Sequence, residues 1–233
     1  MARITIIYDN RAARGDLYPG WGFSALVEKE GTRLLFDTGG DKIVLEHNAI
    51  TLGIDLERTE YLFLSHEHCD HIGALSSALH SGLTVVYPAS FSAGFKKRIA
   101  DEKLTAVPVE GPVEFHPGFS STGELGRGIK EQSLIVFGED GPALITGCAH
   151  PGIVEIVRVA TELASRPLSL VLGGFHLGSK EDSEVEAIAE SLELLGVKRV
   201  APCHCTGERA MKVLSGSSSF DYIEVKAGTT VEI

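Results

Sequence analysis

Seven consecutive residues combine the side chains that metal chemistry needs. Residues 65–71 read S-H-E-H-C-D-H, so three imidazoles, two carboxylates and a thiol lie within one short turn. Neutral imidazole nitrogen and carboxylate oxygen are ligands that borderline first-row metal ions accept. The alternative is a solvated polar loop in which the histidines occur by chance. Since three of the nine histidines of the chain fall here, we interpret the run as a metal-binding cluster.

A predicted strand and a predicted helix position this cluster. Residues 61–64 form a short, continuous apolar run typical of a buried strand, and a helix is predicted from about 72 to 81. Alternate residues of extended chain share a direction, and the turn into the helix redirects the others. We therefore expect four side chains to face one crevice at the carboxyl end of the strand: His66, His68, Asp70 and His71.

Three further histidines follow apolar runs in the second half of the chain. His150, His176 and His204 come after runs at 143–146, 168–172 and 197–201. Ligands of α/β sheets gather at the carboxyl ends of strands. A single such histidine would more often be a core or capping residue, but three at equivalent strand ends indicate metal ligands. This interpretation is stronger for His150 and His204 than for His176, which could instead be a proton donor.

The cluster at 66–71 resembles the H-x-H-x-D-H signature of the metallo-β-lactamase superfamily. The resemblance implies a four-layer αββα sandwich that holds one or two metal ions. It implies that His66 and His68 bind one ion together with a later histidine. It also implies that Asp70 and His71 bind the second ion together with a histidine near the C-terminus, with an intermediate Asp usually bridging the two.

The chain departs from that pattern where the bridging Asp is expected. Cys148 stands there, and a thiolate can bind or bridge Zn²⁺ or Fe²⁺. Cys148 either replaces the Asp or is a packed residue while His150 completes the first site, and we favour His150 as a ligand. His116 could be a displaced third histidine, but its Gly- and Pro-rich surroundings favour a surface residue.

Three blocks in the second half resemble one subgroup of the superfamily. Residues 147–154 read G-C-A-H-P-G-I-V, residues 173–177 read G-G-F-H-L, and residues 202–207 read P-C-H-C-T-G. The subgroup includes dihydropterin ribofuranosylaminobenzene phosphate synthase and many metal-dependent hydrolases. The resemblance runs almost from end to end, and it implies either hydrolysis or synthase chemistry at the same metal centre.

Composition predicts one soluble enzyme domain, spanning residues 1–233. With 21 basic and 32 acidic residues the net charge is −11, which disfavours nucleic acid and anionic membrane as partners. No segment approaches the ~18 apolar residues that would span a bilayer, and the N-terminus resembles a strand rather than a signal peptide. We expect a cytoplasmic protein with four reduced cysteines and a small-molecule substrate; the oligomeric state is not readable.

The remaining elements are read from apolar periodicity. Strands are predicted at 2–8, 22–28, 32–36, 83–87, 132–137 and 142–147, and helices at 41–53, 90–100, 152–164, 182–195 and 207–214. The segment 101–130 has weak periodicity and many Gly and Pro residues, which indicates turns or a mobile loop. Asp37 lies in a D-T-G-G turn, where capping is favoured over support of the metal site.

The ligands favour hydrolysis by metal-activated water. Zinc suits the histidine-rich set best, with iron or manganese as alternatives. Asp70 would bind a metal and also hold the nucleophile by a hydrogen bond, and His176 would donate a proton. A phosphate-bearing substrate is plausible because Pro151-Gly152 and Thr206-Gly207 introduce helix N-termini beside site histidines, although simple helix starts explain them equally well. A pterin-pathway synthase and a noncatalytic metal- or ligand-binding protein are the alternatives.

Overall fold

Two seven-stranded sheets form the framework of the protein, one in each of two units. The structure is a computed structural model that describes residues 1–233. The first unit comprises Met1–Gly111 and Lys226–Glu232, and the second comprises Pro112–Val225 with Ile233.

The strands follow in this chain order: β1 Ala2–Tyr8, β2 Ser24–Lys29, β3 Thr32–Phe36, β4 Tyr61–Phe63, β5 Thr84–Pro88, β6 Thr105–Val109, β7 Val113–His116, β8 Phe119–Ser121, β9 Leu134–Gly138, β10 Gly141–Thr146, β11 Leu170–Gly174, β12 Arg199–Cys203, β13 Asp221–Tyr222 and β14 Thr230–Glu232.

The helices are α1 Lys42–Thr51, α2 Cys69–Ile72, α3 Leu75–Ala78, α4 Ala93–Asp101, α5 Ile153–Ala164, α6 Asp182–Leu194 and α7 Glu208–Gly216. Two 3₁₀ turns, Leu56–Arg58 and His204–Thr206, complete the regular structure. None of the helices is both long and apolar enough to cross a lipid bilayer.

The sheet of the first unit has the order β14-β1-β2-β3-β4-β5-β6. Its strands are antiparallel from β14 to β3 and parallel from β3 to β6. Helices α1, α3 and α4 supply apolar side chains to one core, in which Leu45, Leu75 and Phe95 pack with residues of the sheet. The parallel strands β3, β4 and β5 therefore end at one edge, beside the sequence cluster.

The sheet of the second unit has the order β13-β12-β11-β10-β9-β8-β7. Its strands are parallel from β13 to β10 and antiparallel from β10 to β7. Helix α5 buries Ile153, Ile156, Val157 and Ala160 at helical spacing, which fixes its apolar face against the core. Three parallel strands, β10, β11 and β12, again end at one edge.

Most elements agree with the sequence predictions, and two regions differ. The stretch 101–130 was expected to be turns or a mobile loop; it contains β6, β7 and β8. The helix expected to run from about 72 to 81 was wrong as a single element, because Gly73 and Ala74 separate α2 from α3. A Cβ on Gly73 would lie 2.3 Å from the backbone oxygen of Gly40, so this break lets two backbones approach closely.

Candidate metal centre

The first ligand cluster follows β4 at the edge where its neighbour β3 also ends. The two strands are parallel and pair Phe36 with Phe63. Asp37 directly follows β3, and its backbone N–H donates to the Phe63 oxygen at 2.9 Å. The turn at 64–68 is therefore brought beside Asp37, whose backbone adopts a left-handed conformation with a φ of 50°.

Asp37 is a fully buried carboxylate that holds this turn and one of its histidines. It accepts hydrogen bonds from the Ser65 backbone N–H at 2.7 Å and from the Ser65 hydroxyl at 2.7 Å. Its Oδ2 also lies 2.7 Å from Nδ1 of His71, which is itself fully buried. Asp37 therefore does more than the capping favoured from the sequence: it contacts the Nδ1 of His71, a candidate metal ligand, and leaves the Nε2 of that ring facing away from itself.

The remaining donors of the first unit gather around His71. The rings of His66 and His71 have centroids 4.2 Å apart, and those of His66 and His68 are 4.6 Å apart. The Nε2 of His71 is 3.8 Å from Oδ2 of Asp70. His66 places its Nδ1 2.9 Å from the Ser65 hydroxyl, while its buried Nε2 makes no hydrogen bond. The structure thus brings together all four ligands predicted from the H-x-H-x-D-H run.

The Gly-rich turn after β3 explains how α2 is held against the sheet. Thr38 donates both its backbone N–H, at 2.7 Å, and its hydroxyl, at 3.1 Å, to the backbone oxygen of His71. A Cβ on Gly22 would lie 2.4 Å from the backbone oxygen of Asp70, and the φ of Gly22 is 145°. These contacts require the small residues, and they hold Asp70 and His71 in place from the backbone side.

The second cluster lies where β10, β11 and β12 end side by side. The register pairs Thr146 with Gly173 and Gly174 with Cys203. His150, His176 and His204 follow these three strands, and the last two have left-handed backbone angles of 53° and 48°. The rings of His150 and His176 have centroids 4.7 Å apart.

Glu131 is the buried carboxylate of the second cluster, and sequence reasoning assigned it no role. It is 1% exposed. Its oxygens accept hydrogen bonds from the backbone N–H groups of Cys148 at 2.9 Å, Ala149 at 2.9 Å and His150 at 3.0 Å. Its Oε2 also lies 2.8 Å from Nδ1 of His150. Glu131 therefore fixes the turn after β10 and orients His150, two roles that an acidic residue before a hydrophobic strand does not reveal in the sequence.

Two thiols and two histidines form the rest of the second cluster. Ligand atoms of Cys148 and His204 lie within 4.8 Å of each other, and Cys148, His176 and Cys205 form a second set within the same limit. Hydrogen bonding to Cys148 and His176 lowers the pKa of the Cys205 thiol to about 5, from an ordinary value of 9.0. The hydrogen bond to Cys205 in turn raises the pKa of His176. Thiolate and imidazolium are thus mutually stabilised.

Gly174 makes room for the Cys205 sulfur. A Cβ at this position would lie 2.6 Å from that sulfur and 2.4 Å from the backbone oxygen of Gly147. A larger residue would therefore displace Cys205 from its place beside Cys148. This steric reason accounts for the second glycine of the G-G-F-H-L block.

Two residues with plausible ligand groups lie elsewhere. His116 ends β7, with its ring 5.5 Å from that of Phe119 and its Nδ1 3.0 Å from the Pro117 oxygen. Glu67 lies within the first cluster but accepts hydrogen bonds from the backbone and hydroxyl of Ser92 at the start of α4. Neither takes part in a group of candidate metal ligands.

The donor sets fit a divalent metal ion. Asp37 and Glu131 each engage the Nδ1 of a histidine, so Nε2 is the atom of His71 and His150 that would be available to a metal ion. The Nε2 of His204 is buried and makes no hydrogen bond, like that of His66. Imidazole, carboxylate and thiolate together match zinc and neighbouring first-row ions, and bonding of a buried nitrogen to metal would satisfy it.

Sequence comparisons relate the chain to a known superfamily. The family model described as the metallo-beta-lactamase superfamily matches residues 17–204. A Methanocaldococcus jannaschii protein named 7,8-dihydropterin-6-methyl-4-(beta-D-ribofuranosyl)-aminobenzene-5'-phosphate synthase is 26% identical, across 92% of this chain and 91% of that protein. An uncharacterized protein of the same organism is 27% identical across 94% of this chain and 96% of its own length.

Solved structures confirm the fold. The crystal structure of Tm1679, described as a metal-dependent hydrolase of the beta-lactamase superfamily, has a TM-score of 0.85 and 29% identity. The match covers 100% of the present chain and 99% of the Tm1679 chain. The metallo-beta-lactamase fold protein YhfI from Bacillus subtilis has a TM-score of 0.71 with 14% identity, covering 99% of this chain and 98% of its own. The predicted α/β metallo-β-lactamase fold is thus confirmed.

Proposed function

Because the chain belongs to the metallo-β-lactamase superfamily, we propose that it is a metal-dependent hydrolase. The proposed substrate is a small molecule that carries a phosphate, ester or lactone group. Superfamily members generally bind divalent metal ions and act on small molecules. Zinc is the metal we expect, with iron or manganese as alternatives.

The proposal rests on one arrangement that occurs in each unit, a buried carboxylate in contact with the Nδ1 of a histidine. Asp37 is 0% exposed and lies 2.7 Å from the Nδ1 of His71. Glu131 is 1% exposed and lies 2.8 Å from the Nδ1 of His150. Burying a carboxylate is costly unless it is fully hydrogen-bonded. Such a carboxylate orients a metal-bound histidine and makes it a stronger ligand.

We assign the ligands to two ions by the resemblance to the superfamily. His66, His68 and His150 would hold the first ion. Asp70, His71 and His204 would hold the second, with Cys148 as a bridging or additional ligand in place of the usual Asp. We propose that these ligands belong to one catalytic domain spanning 1–233.

A bound divalent ion would supply a Lewis acid and lower the pKa of a coordinated water toward ~7. Asp70 would accept a hydrogen bond from the nucleophilic water and so orient it. His176 is exposed, lies beside His150 and has a raised pKa. The raised pKa favours the imidazolium form, which would donate its proton to the leaving oxygen.

The net charge of the chain supports the choice of a small molecule as the partner. The net charge of −11 disfavours a nucleic-acid partner, since such binding needs clustered Lys and Arg. We propose action in the cytoplasm without membrane attachment.

Metal stoichiometry tests this ligand assignment. His66→Gln removes a donor of the first unit and His150→Gln removes one of the second. If both donors serve one ion, each single variant loses the same equivalent of metal, and the double variant loses no more than either single variant. His116→Gln is the control, with wild-type metal content expected. Losses that add in the double variant would show that the two histidines serve separate ions.

A substrate screen tests the chemistry. The zinc-loaded protein is assayed against phosphodiesters, phosphomonoesters and lactones, with His66→Gln as the inactive control. Hydrolysis of at least one class, lost in that variant, would support the proposal. A fully metallated protein without activity toward all three classes would contradict it.

The second candidate is a pterin-pathway synthase, favoured by the 26% identity across 92% of the chain to the M. jannaschii enzyme. The product in that enzyme's name joins a methyl-dihydropterin to a ribofuranosylaminobenzene 5'-phosphate. Mass spectrometry would detect the joined product when the metallated protein is incubated with an activated dihydropterin and the aryl riboside phosphate. Product formation without hydrolysis of the screened esters would favour the synthase.

A further inference from the structure

A pocket of about 560 Å³ opens beside His150 in the second unit. One wall is formed by residues 125–129, and the other by Pro151 and by Glu155 in the first turn of α5. Because His150 itself lines this pocket, an occupant would lie against one of the proposed metal ligands. The pocket borders the reaction site that the proposed function requires.

The wall at 125–129 is held in place rather than left as a free loop. Leu125 and Glu131 exchange two backbone hydrogen bonds, of 2.9 and 3.1 Å. Gly126 has a φ of 94°, and a Cβ there would lie 2.6 Å from the Ile129 oxygen and 3.3 Å from the Pro151 ring. Since Glu131 also binds the turn that carries His150, the wall and the histidine share one anchor.

The charges of the pocket favour an anion. Arg127 lines it, and the structure gives this guanidinium no carboxylate partner. The acid on the opposite wall, Glu155, is held by Arg158, which donates two hydrogen bonds to it at 3.0 and 2.7 Å and a further one to Glu162. In a chain with 32 acidic and 21 basic residues, an arginine left without an acid at a pocket is available for a ligand.

The start of α5 adds further donors. Gly152 is its N-cap and supplies no side-chain hydrogen bond to the first turn, and Pro151 and Glu155 at this end of the helix line the pocket. The backbone N–H groups of a helix N-terminus and the helix dipole favour a phosphate nearby. The helix has 12 residues, long enough for this effect, and the arginine provides the independent charge.

We propose that this pocket is the subsite for a phosphate group of the substrate, with Arg127 as the residue that recognises it. The planar guanidinium can donate two parallel N–H groups to two phosphate oxygens, which a lysine cannot reproduce. This inference rests on the proposed function, and it adds that the substrate carries a phosphate away from the bond that reacts.

Phosphate binding tests the subsite without requiring turnover. Inorganic phosphate is titrated into the zinc-loaded full chain, and binding is followed by calorimetry. We expect Arg127→Gln to weaken the affinity about tenfold or more, as expected for loss of a charged hydrogen-bonding partner. Arg127→Lys should recover only part of it. Arg98→Gln, which removes an exposed arginine of α4 in the other unit, is the matched control and should bind as the wild type does.

A second titration separates this subsite from phosphate bound to the metal. Chelator-treated protein should retain weak binding that depends on Arg127. If binding disappears on chelation and Arg127→Gln has no effect in either form, phosphate binds only at the metal and the subsite is wrong.

Steady-state kinetics separates failure of the subsite from failure of the proposed function. Arg127→Gln should raise KM for a phosphate-bearing ester and leave KM for a neutral lactone unchanged. Hydrolysis with an unchanged KM for both would overturn the subsite while the function stands. An inactive protein whose phosphate affinity still depends on Arg127 would overturn hydrolysis and leave the subsite intact.

Discussion

Both units contain a buried carboxylate that orients a histidine, but the residues around each pair come from differently arranged segments of the chain. In the first, one continuous run after β4 supplies four donors, and the buried carboxylate Asp37 comes from the neighbouring parallel strand. In the second, the donors follow three separate strands, and the carboxylate Glu131 precedes β9. The donor residues therefore form one continuous sequence motif in the first unit and are dispersed along the chain in the second. Both units nevertheless contain a histidine oriented by a carboxylate.

The two carboxylates also differ in how much backbone they hold. Asp37 accepts one backbone N–H, from Ser65, whereas Glu131 accepts three, from residues 148–150. The second unit additionally has a thiolate and an exposed histidine with a raised pKa, Cys205 and His176. On the proposed function, the first unit would only hold metal, whereas the second would hold metal and also transfer a proton.

Loss of His176 should have the largest effect on turnover. His176→Ala removes the proposed proton donor, and general-acid catalysis contributes about 10²–10⁴-fold. We expect kcat to fall by that order while the metal content of the purified protein is unchanged. Metal analysis and steady-state kinetics of the same preparation check both halves of this prediction. Loss of metal would show that His176 is a ligand and contradict the acid role.

Removal of the buried carboxylate should lower the free energy of unfolding more for Glu131 in the second unit than for Asp37 in the first. Glu131→Ala leaves three backbone N–H groups without their acceptor, each costing about 1–3 kcal/mol when buried. We expect a loss of roughly 3–5 kcal/mol in the free energy of unfolding, and at least about 1 kcal/mol less for Asp37→Ala, which loses one such acceptor.

Urea denaturation of the chelator-treated variants measures this difference. Glu186→Ala, an exposed substitution on α6, is the control, with a change within about 0.5 kcal/mol. Equal losses for Asp37→Ala and Glu131→Ala would mean that the additional backbone hydrogen bonds of Glu131 do not stabilise the fold.

Substitution of either carboxylate by its amide should have a smaller effect than substitution by alanine, and we expect it to be a loss of metal affinity. Asp37→Asn and Glu131→Gln keep the shape but remove the charge that polarises His71 and His150. Loss of such a supporting carboxylate typically weakens metal binding about 10–100-fold. Competition with a chromophoric chelator measures the affinity of each variant. If only one of the two substitutions weakens binding, the two carboxylate–histidine pairs are not functionally equivalent.

A further expected effect is a pH dependence specific to the second unit. The folded pKa of Cys205 is about 5, below its ordinary value of 9.0. The thiolate therefore stabilises the fold fully above pH 9, and this contribution decreases as the pH falls from 9 toward 5. In chelator-treated protein, the stability difference between wild type and Cys205→Ser should be larger at pH 8 than at pH 5.5.

Cys69→Ser is the control for this pH series. Cys69 is an exposed thiol of the first unit, so its substitution should change the free energy of unfolding by no more than about 0.5 kcal/mol at either pH. A difference for Cys205→Ser that does not change between the two pH values would contradict the stabilised thiolate.

The sequence predicted the strands of the two sheets best where they are buried. Strands β1 and β3 begin and end where the apolar pattern predicts, because the side chains of Ile4, Leu34 and Leu35 are fully buried. Strand β6, by contrast, is mostly exposed, contains Pro108 and lies at a sheet edge, and β7 lies at the edge of the other sheet. Edge strands have little apolar alternation, so the stretch 101–130 was interpreted as turns.

The sequence by itself determined which side chains can bind metal, because imidazole, carboxylate and thiol donors stand in local runs at strand ends. Only the tertiary structure decided which carboxylates orient them. Asp37 reaches His71, and Glu131 reaches His150, through strand pairings and turns that join segments distant in the chain. An acid in a turn looks the same in sequence whether it faces solvent or is buried against a histidine, since burial depends on backbone packing from elsewhere.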